Sequence, residues 1–229
     1  MPPCFEICYV VCPPVNNYVV QHPVSVRSEC IVAGHAVEQL AADIASYNID
    51  VAIISETHFK SRHLYSVVSV PDYILLRSDR IGKRCGGVAM YIRESYNATM
   101  WTFSADDRKF ELLWARVGVT FIGVIYHLPC TSVYTSESLL CYHELCIKEI
   151  ARDHPAASIF LAGDFNLLPD DAISECTGLS QIVRQPTRGA NIFDRIHESC
   201  PTYSTVRVVN SLSEMIIDQC LPIKISVQL

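Results

Sequence analysis

Residues 158–170, SIFLAGDFNLLPD, decide how the rest of the chain is read. The apolar run from Ile159 to Ala162 suits a buried strand, and it stops at Gly163-Asp164-Phe165-Asn166. Side chains two positions apart on a strand point to one side, so Asp164 and Asn166 are expected to face one target together. The same four residues also read as a strand end followed by an ordinary Asp/Asn turn. The remainder of the chain has to separate the two readings.

Working outward, DVAIIS (50–55) is a short, buried, β-branched strand that ends at Glu56, and GGVAMYIRE (86–94) is a strand after a glycine turn. FELLWARVG (110–118) and TFIGVIYHLP (120–129) pair as antiparallel neighbours, with STVRVVNS (204–211) and IKISVQL (223–229) as late strands. HAVEQLAADIASYNID (35–50) places Val37, Leu40, Ala41 and Ile44 at helical spacing. SESLLCYHELCIKEIARDH (136–154) does the same with Leu139, Tyr142, Cys146 and Ile150. Helices interspersed with many strands predict an α/β protein of two packed sheets covered by helices. No repeat or linker divides the chain. One domain over residues 21–229 is expected, with the Pro/Cys-rich residues 1–20 as a poorly ordered lead-in. Glu56, Tyr126 and Asp164 each fall at or just beyond a strand end, where chemistry on layered sheets gathers.

At 229 residues, half of them apolar and 18% charged, the chain can bury a sizeable core and is not disordered overall. No apolar run reaches membrane-spanning length, and MPPCFEICYVVCPP lacks the basic start of a signal peptide, so no membrane association is expected. Eleven scattered cysteines without a C-x-x-C pair fit reduced thiols and an intracellular protein, nuclear or cytoplasmic. A net charge of −6 excludes a protein that coats nucleic acid non-specifically, but not an enzyme touching a few phosphates in one cleft. Three basic clusters read as solvated loops: Lys60, Arg62 and His63; Arg77, Arg80, Lys83 and Arg84; and Arg184, Arg188 and Arg195.

NIDVAIISETHF, RSDRIGKRCGGVAMYIRE, FIGVIYHLP, FLAGDFNLLP, QPTRGANIFDRI and IIDQCLPIKISVQL occur in the order of the endonuclease/exonuclease/phosphatase superfamily. Over residues 18–229 the chain most resembles the endonuclease domain of non-LTR (LINE-type) retrotransposons, relatives of apurinic/apyrimidinic endonucleases. The resemblance implies a four-layer α/β/β/α sandwich, two mostly antiparallel sheets flanked by helices, and Mg²⁺-dependent cleavage of a phosphodiester. Mn²⁺ is the alternative ion, and duplex DNA, held weakly and through its backbone, is the implied partner; no protein partner is implied. It further implies that Glu56 and Asp218 are the acids of the metal site, and that Tyr126 contacts the scissile phosphate. Asp164 and Asn166 are implied to position and deprotonate the attacking water and support the phosphate, and Asp194 to orient the family's final histidine. Arg188, in PTRGAN, matches a loop where a phosphate contact or simple turn chemistry is equally open.

These residue types suit that chemistry. A phosphodiester needs an electrophile, and Mg²⁺ on one or two carboxylates keeps positions open for water and phosphate oxygens. An ionised Asp164 can only accept, so it can take a proton from water, while amide and hydroxyl donors serve developing charge. The chain departs from the family at two places. Ser25 in VSVRS stands where the family has an asparagine that supports the metal site, and serine is shorter and cannot replicate an amide's reach. Gln219 in Ile217-Asp218-Gln219 replaces the histidine of a terminal Ser-Asp-His. Glutamine hydrogen-bonds but neither titrates nor becomes charged near neutral pH, so impaired strand nicking is expected. Two other readings stay open: a superfamily phosphatase or phosphodiesterase acting on a non-DNA substrate, and a catalytically dead remnant that only binds nucleic acid. His58 and His127 read as polar partners rather than metal ligands, Trp101 and Trp114 as packing residues, and Asp170-Asp171 as an exposed helix start.

Overall fold

The computed structural model describes residues 4–11, 27–81, 86–105, 109–128, 131–187, 190–199, 204–208 and 223–228. Two six-stranded sheets form. The first has the order β11-β12-β1-β2-β4-β3 and the second β5-β6-β7-β8-β10-β9. In chain order the strands are β1 Cys4–Val11, β2 Val51–Ser55, β3 Tyr73–Ser78, β4 Val88–Arg93, β5 Thr99–Trp101 and β6 Glu111–Val117. They continue with β7 Thr120–Tyr126, β8 Ser158–Asp164, β9 Ser180–Gln181, β10 Asp194–Glu198, β11 Ser204–Val208 and β12 Ile223–Gln228. The helices are α1 Arg27–Ser46, α2 Tyr65–Val68, α3 Ser136–Asp153 and α4 Asp170–Thr177.

Both sheets follow one plan: a single parallel pair at the centre, β1 with β2 or β7 with β8, and antiparallel pairing elsewhere. A parallel pair needs a long crossover, and α1 and α3 supply it. Period-two alternation then distributes the side chains. Val51, Ile53, Val88, Met90 and Ile92 face Leu113, Ala115, Ile122, Val124, Phe160 and Ala162 between the sheets. The alternate residues Ala52, Ile54, Ala89 and Tyr91 pack under Val37, Leu40 and Ile44 of α1. On the far side, Trp114, Phe121, Ile125, Ile159 and Leu161 meet Leu139, Tyr142, Cys146 and Ile150 of α3 and Ile173 of α4. Three apolar layers thus separate four layers of structure, as the resemblance implied.

Element placement refines the sequence reading at four points. Cys4–Val11, inside the expected lead-in, is β1 and pairs with strands on both sides; CFEICYVV is rich enough in β-formers to do so despite its proline-flanked surroundings. Helix α1 begins at Arg27, well before the expected start at 35. The short strands β3, β5, β9 and β10 had no clear alternating signal of their own. The expected helix start at Asp170-Asp171 is the first turn of α4, which Gly178 closes in a left-handed conformation at φ +72°. Among the described residues no helix is long and apolar enough to cross a membrane, and Cys141, Cys146 and Cys176 are free thiols.

Candidate functional site

Strand register places four polar side chains in one row. Glu111 of β6 is opposite Tyr126 of β7, Tyr126 is beside Asp164 of β8, and Asp164 is opposite Asp194 of β10. Laterally paired residues lie about 4.8 Å apart and share one face. Here that face is the inner one, since Leu113, Val124, Ala162 and Ile196, each two residues along its strand from a member of the row, belong to the inter-sheet core. The row is therefore where the inter-sheet layer turns from apolar to polar. From the opposite sheet, Glu56 follows directly on β2, and its Oε1 accepts the hydroxyl hydrogen of Tyr126. The two sheets meet in that bond.

Glu56 has φ +53° and His58 φ +56°, a left-handed backbone that non-glycine residues adopt only when neighbours hold it. The neighbours here are the glycines of the turn before β4. Thr57 N–H donates to Gly87 O at 3.1 Å and His58 N–H to Gly86 O at 2.9 Å. Gly87 N–H in turn donates to Glu111 Oε2 at 2.6 Å, while Glu111 Oε1 accepts from Arg80 Nε. Arg80 lies 5.6 Å above the Tyr126 ring and fills the space a Cβ on Gly86 (φ +106°) would need. Glu111 therefore acts at a distance: it holds the turn that holds Glu56.

On the other sheet, Asp164 is 1% exposed and its Oδ1 accepts from Asn166 N–H at 2.8 Å. Asn166 does not continue the strand. Its φ is +47°, and its side-chain Nδ2 donates to the His127 carbonyl at 2.7 Å. The turn reading of GDFN is thus the observed one, and the two side chains reach one place by a turn rather than by strand alternation. Gly163 (φ +150°) makes room, since a Cβ there would overlap the Ile125 carbonyl oxygen. His127 N–H donates to Asp164 O at 2.8 Å, and His127 Nδ1 lies 3.1 Å from Phe165 O. Arg195, expected in a solvated loop, is buried: Nη1 donates to Leu168 O at 2.5 Å and Nε pairs with Asp170 at 2.6 Å. It is a clamp on the loop after β8. Thr187 Oγ1 accepts from Asp194 N–H at 3.2 Å.

Electrostatics follow from this enclosure. Burial pushes the Tyr126 hydroxyl far above the usual phenol range, and the carboxylates of Glu56 and Asp164 push the same way. Tyr126 is a donor throughout the physiological range. Burial also raises Glu111, against the opposing pull of Gly87 N–H and Arg80. His58 and His127 are both lowered by burial, so both rings favour the neutral form. Among the described residues no group of three or more His, Cys, Asp or Glu is arranged to hold a metal by itself. A hard cation that keeps substrate and water oxygens asks only for one or two carboxylates, and a carboxylate that accepts one tyrosine hydroxyl has lone pairs to spare.

Glu56, Tyr126, Asp164, Asn166 and Asp194 are brought together; Ser25, Arg188, Asp218 and Gln219 lie outside the described residues. Glu111 escaped the sequence reading because it opens β6 and no apolar run precedes it, as one precedes Glu56. Arg80 and Arg195 were named only as members of basic clusters read as solvated loops. Trp101 and Trp114 pack edge to face at 6.2 Å, as expected of packing residues.

No family model matches the sequence, and no curated protein matches it either. Solved structures do. The 3′–5′ exonuclease NExo of Neisseria meningitidis superposes with a TM-score of 0.70 at 14% identity, over 98% of this chain and 100% of that one. A humanized D. rerio TDP2 gives 0.65 at 15%, with 99% of both chains covered. The endonuclease domain of TRAS1, a telomere-specific non-LTR retrotransposon, gives 0.59 at 14%, again with 99% of both. The fold is the one these three structures share. At such low identity the likeness shows a shared layered fold, matched over 98–99% of this chain. NExo has been seen with a product DNA hairpin and D. rerio TDP2 with a single-strand DNA product.

Proposed function

We propose that this chain is a phosphodiester hydrolase acting on DNA, a retrotransposon-type endonuclease in descent, whose strand-nicking activity is impaired. The observation that carries the reading is the convergence of Glu56 from one sheet with Tyr126, Asp164 and Asp194 from the other at one end of the inter-sheet layer. Glu56, half-exposed, is the carboxylate on which a divalent cation would rest, with Asp218 as the second acid, and Mg²⁺ suits such oxygen ligands, with Mn²⁺ as its substitute. That ion would supply the electrophile at the phosphate. Asp164, enclosed and acceptor-only, holds and takes the proton of the attacking water. The second N–H of the Asn166 amide donates to a phosphate oxygen, as does the Tyr126 hydroxyl once a bound cation replaces it on Glu56, and Asp194 orients the residue at 219. Arg188 adds a contact to the phosphate backbone.

Ser25 and Gln219 support the impairment. Without the family histidine the site lacks a group that could carry charge or a proton, a loss of about 10²–10⁴ in rate. Nicking of supercoiled plasmid with Mg²⁺, against an EDTA control, tests the reading. Slow or absent nicking by the unaltered chain and a gain in the Ser25→Asn, Gln219→His protein are expected. Nicking at full rate by the unaltered chain would remove the impairment, and binding without cleavage even in the restored protein would favour a binding remnant.

A further inference from the structure

An open groove of about 510 Å³ runs from Glu111 and Arg80 along the edge strand β5 to the loop after β7. Its lining includes Glu111 of the row described above and Arg80, which lies 5.6 Å over the Tyr126 ring. Its lining combines two chemistries. Met100 is 50% exposed, Val133 48% and Ile81 83%, which puts three of the eight exposed large apolar residues among those described along one groove, beside half-buried Trp101. Three cations, Arg77, Arg80 and Lys109, stand against two anions, Asp79 and Glu111, on a chain whose net charge is −6. At the end nearest Tyr126 sits the Arg80 guanidinium. Its Nε is taken by Glu111, while its Nη2 is buried without an acceptor among the described residues. A buried guanidinium arm left without an acceptor is costly, and a phosphate oxygen is the partner it suits best.

We propose that this groove is a subsite for an unpaired nucleoside next to the scissile phosphate, with Arg80 on the intervening phosphate, so that the preferred substrate is single-stranded or frayed nucleic acid. The inference rests on the phosphodiester reading of the adjacent row. A base inside continuous duplex keeps both faces stacked and has none to offer a side wall; an unpaired base has two. The groove is of the size that small ligands occupy, and its apolar wall is one that gains by covering such a face. Of the three cations Arg80 lies at the end nearest the row, where a backbone leaving the reaction centre has to pass, while Arg77 is paired with Asp79. That polarity distinguishes a nucleic-acid strand from an apolar peptide or a second copy of this chain, neither of which requires charge at that end.

The test measures binding by fluorescence anisotropy, in EDTA, of a labelled oligothymidylate of about 12 nucleotides and a hairpin duplex of equal length, using the full chain. The single strand is expected to bind about tenfold tighter than the duplex, the lower part of what one stacked base is worth. Met100→Glu and Val133→Glu, both at exposed positions, should each remove about that factor for the single strand and leave duplex binding within about twofold. Arg80→Lys, which keeps the charge but not the fork, should weaken the single strand by a smaller factor in the same direction. Equal affinity for both nucleic acids, equal losses for both in the variants, or no binding of either overturns the proposal. So does a concentration-dependent dimer that Met100→Glu dissolves, which would give the groove to a second copy. Single-strand preference without Mg²⁺-dependent cleavage, even in the Ser25→Asn, Gln219→His protein, removes the hydrolase reading and leaves the groove. Cleavage without that preference does the reverse.

Discussion

The two parallel crossovers, β1-α1-β2 and β7-α3-β8, are built alike and end differently. Each delivers an acid where its second strand stops. Glu56 comes one residue after β2, half-exposed and on a left-handed backbone held from outside by Gly86 and Gly87. Asp164 is the last residue of β8 itself, 1% exposed, with the left-handed residue displaced two positions on to Asn166. One carboxylate is left open to a cation; the other is enclosed, where it can act on a proton. A shift of one or two residues at a strand end therefore sorts two acids into different surroundings, which the proposed function reads as different chemical roles.

The comparison can be broken most severely at the two acids. In the Ser25→Asn, Gln219→His protein, Asp164→Asn should lower the nicking rate by about 10²–10⁴ at any Mg²⁺ concentration. Glu56→Gln should instead raise the Mg²⁺ concentration required for half-maximal nicking, and if both variants respond alike to added Mg²⁺ the division of labour fails. Gly163→Ala follows in size. With its Cβ against the Ile125 carbonyl it should cost about 3 kcal/mol or more of stability in chemical denaturation, while Gly118→Ala, at φ +59° with open space around it, should cost about 1.

The α3 crossover carries a second peculiarity that the α1 crossover has no counterpart for among the residues described. His143 of α3 and His197 of β10 are both fully buried, and among the described residues no ring nitrogen of either has a hydrogen-bond partner. His197 lies 5.0 Å from Phe165, whose carbonyl oxygen is 3.1 Å from His127 Nδ1, and Arg195 on the same strand stands 5.8 Å from that ring. Burial lowers both imidazoles to about 3, with His127 adding to the effect at His143 and Arg195 and His143 adding to it at His197. Between pH 6.5 and about 3 the unfolded chain therefore binds protons that the folded one does not. The stability held above pH 6.5 falls steadily as the pH drops through that window, by about 2 kcal/mol per histidine at pH 5. Denaturant midpoints measured from pH 7 to pH 5 check this, and a His143→Phe protein should lose about half of the dependence. As small as the Gly118→Ala effect, Thr135→Ala removes the reciprocal cap in which Thr135 Oγ1 accepts from Ser138 N–H at 3.2 Å, and should lower stability by about 1 kcal/mol.

The long elements were legible because burial imposes its period on them. The alternation in GGVAMYIRE and FELLWARVG divides the inner from the outer layers residue by residue, and α3 shows its apolar face at Leu139, Tyr142, Cys146 and Ile150. The acids at the ends of β2 and β8 were equally visible, since a charged residue closing an apolar strand breaks that period. Glu111 was not recognised because its value comes from its partners, Gly87 and Arg80, more than twenty residues away. Arg195 looked like a loop cation for the same reason: the two carbonyls that it clamps are contributed by another strand's turn.

By itself the sequence determined the layered α/β class, the positions of the main strands, and the residue types at their ends, because local periodicity and composition report directly on burial. Only tertiary structure decided that Glu56 meets Tyr126 across the two sheets, that Asn166 turns back onto His127, and that Arg80 lies between the row and an apolar groove. Those contacts depend on strand register and on how two sheets face one another, and both arise from packing between segments far apart in the chain, which no local pattern records.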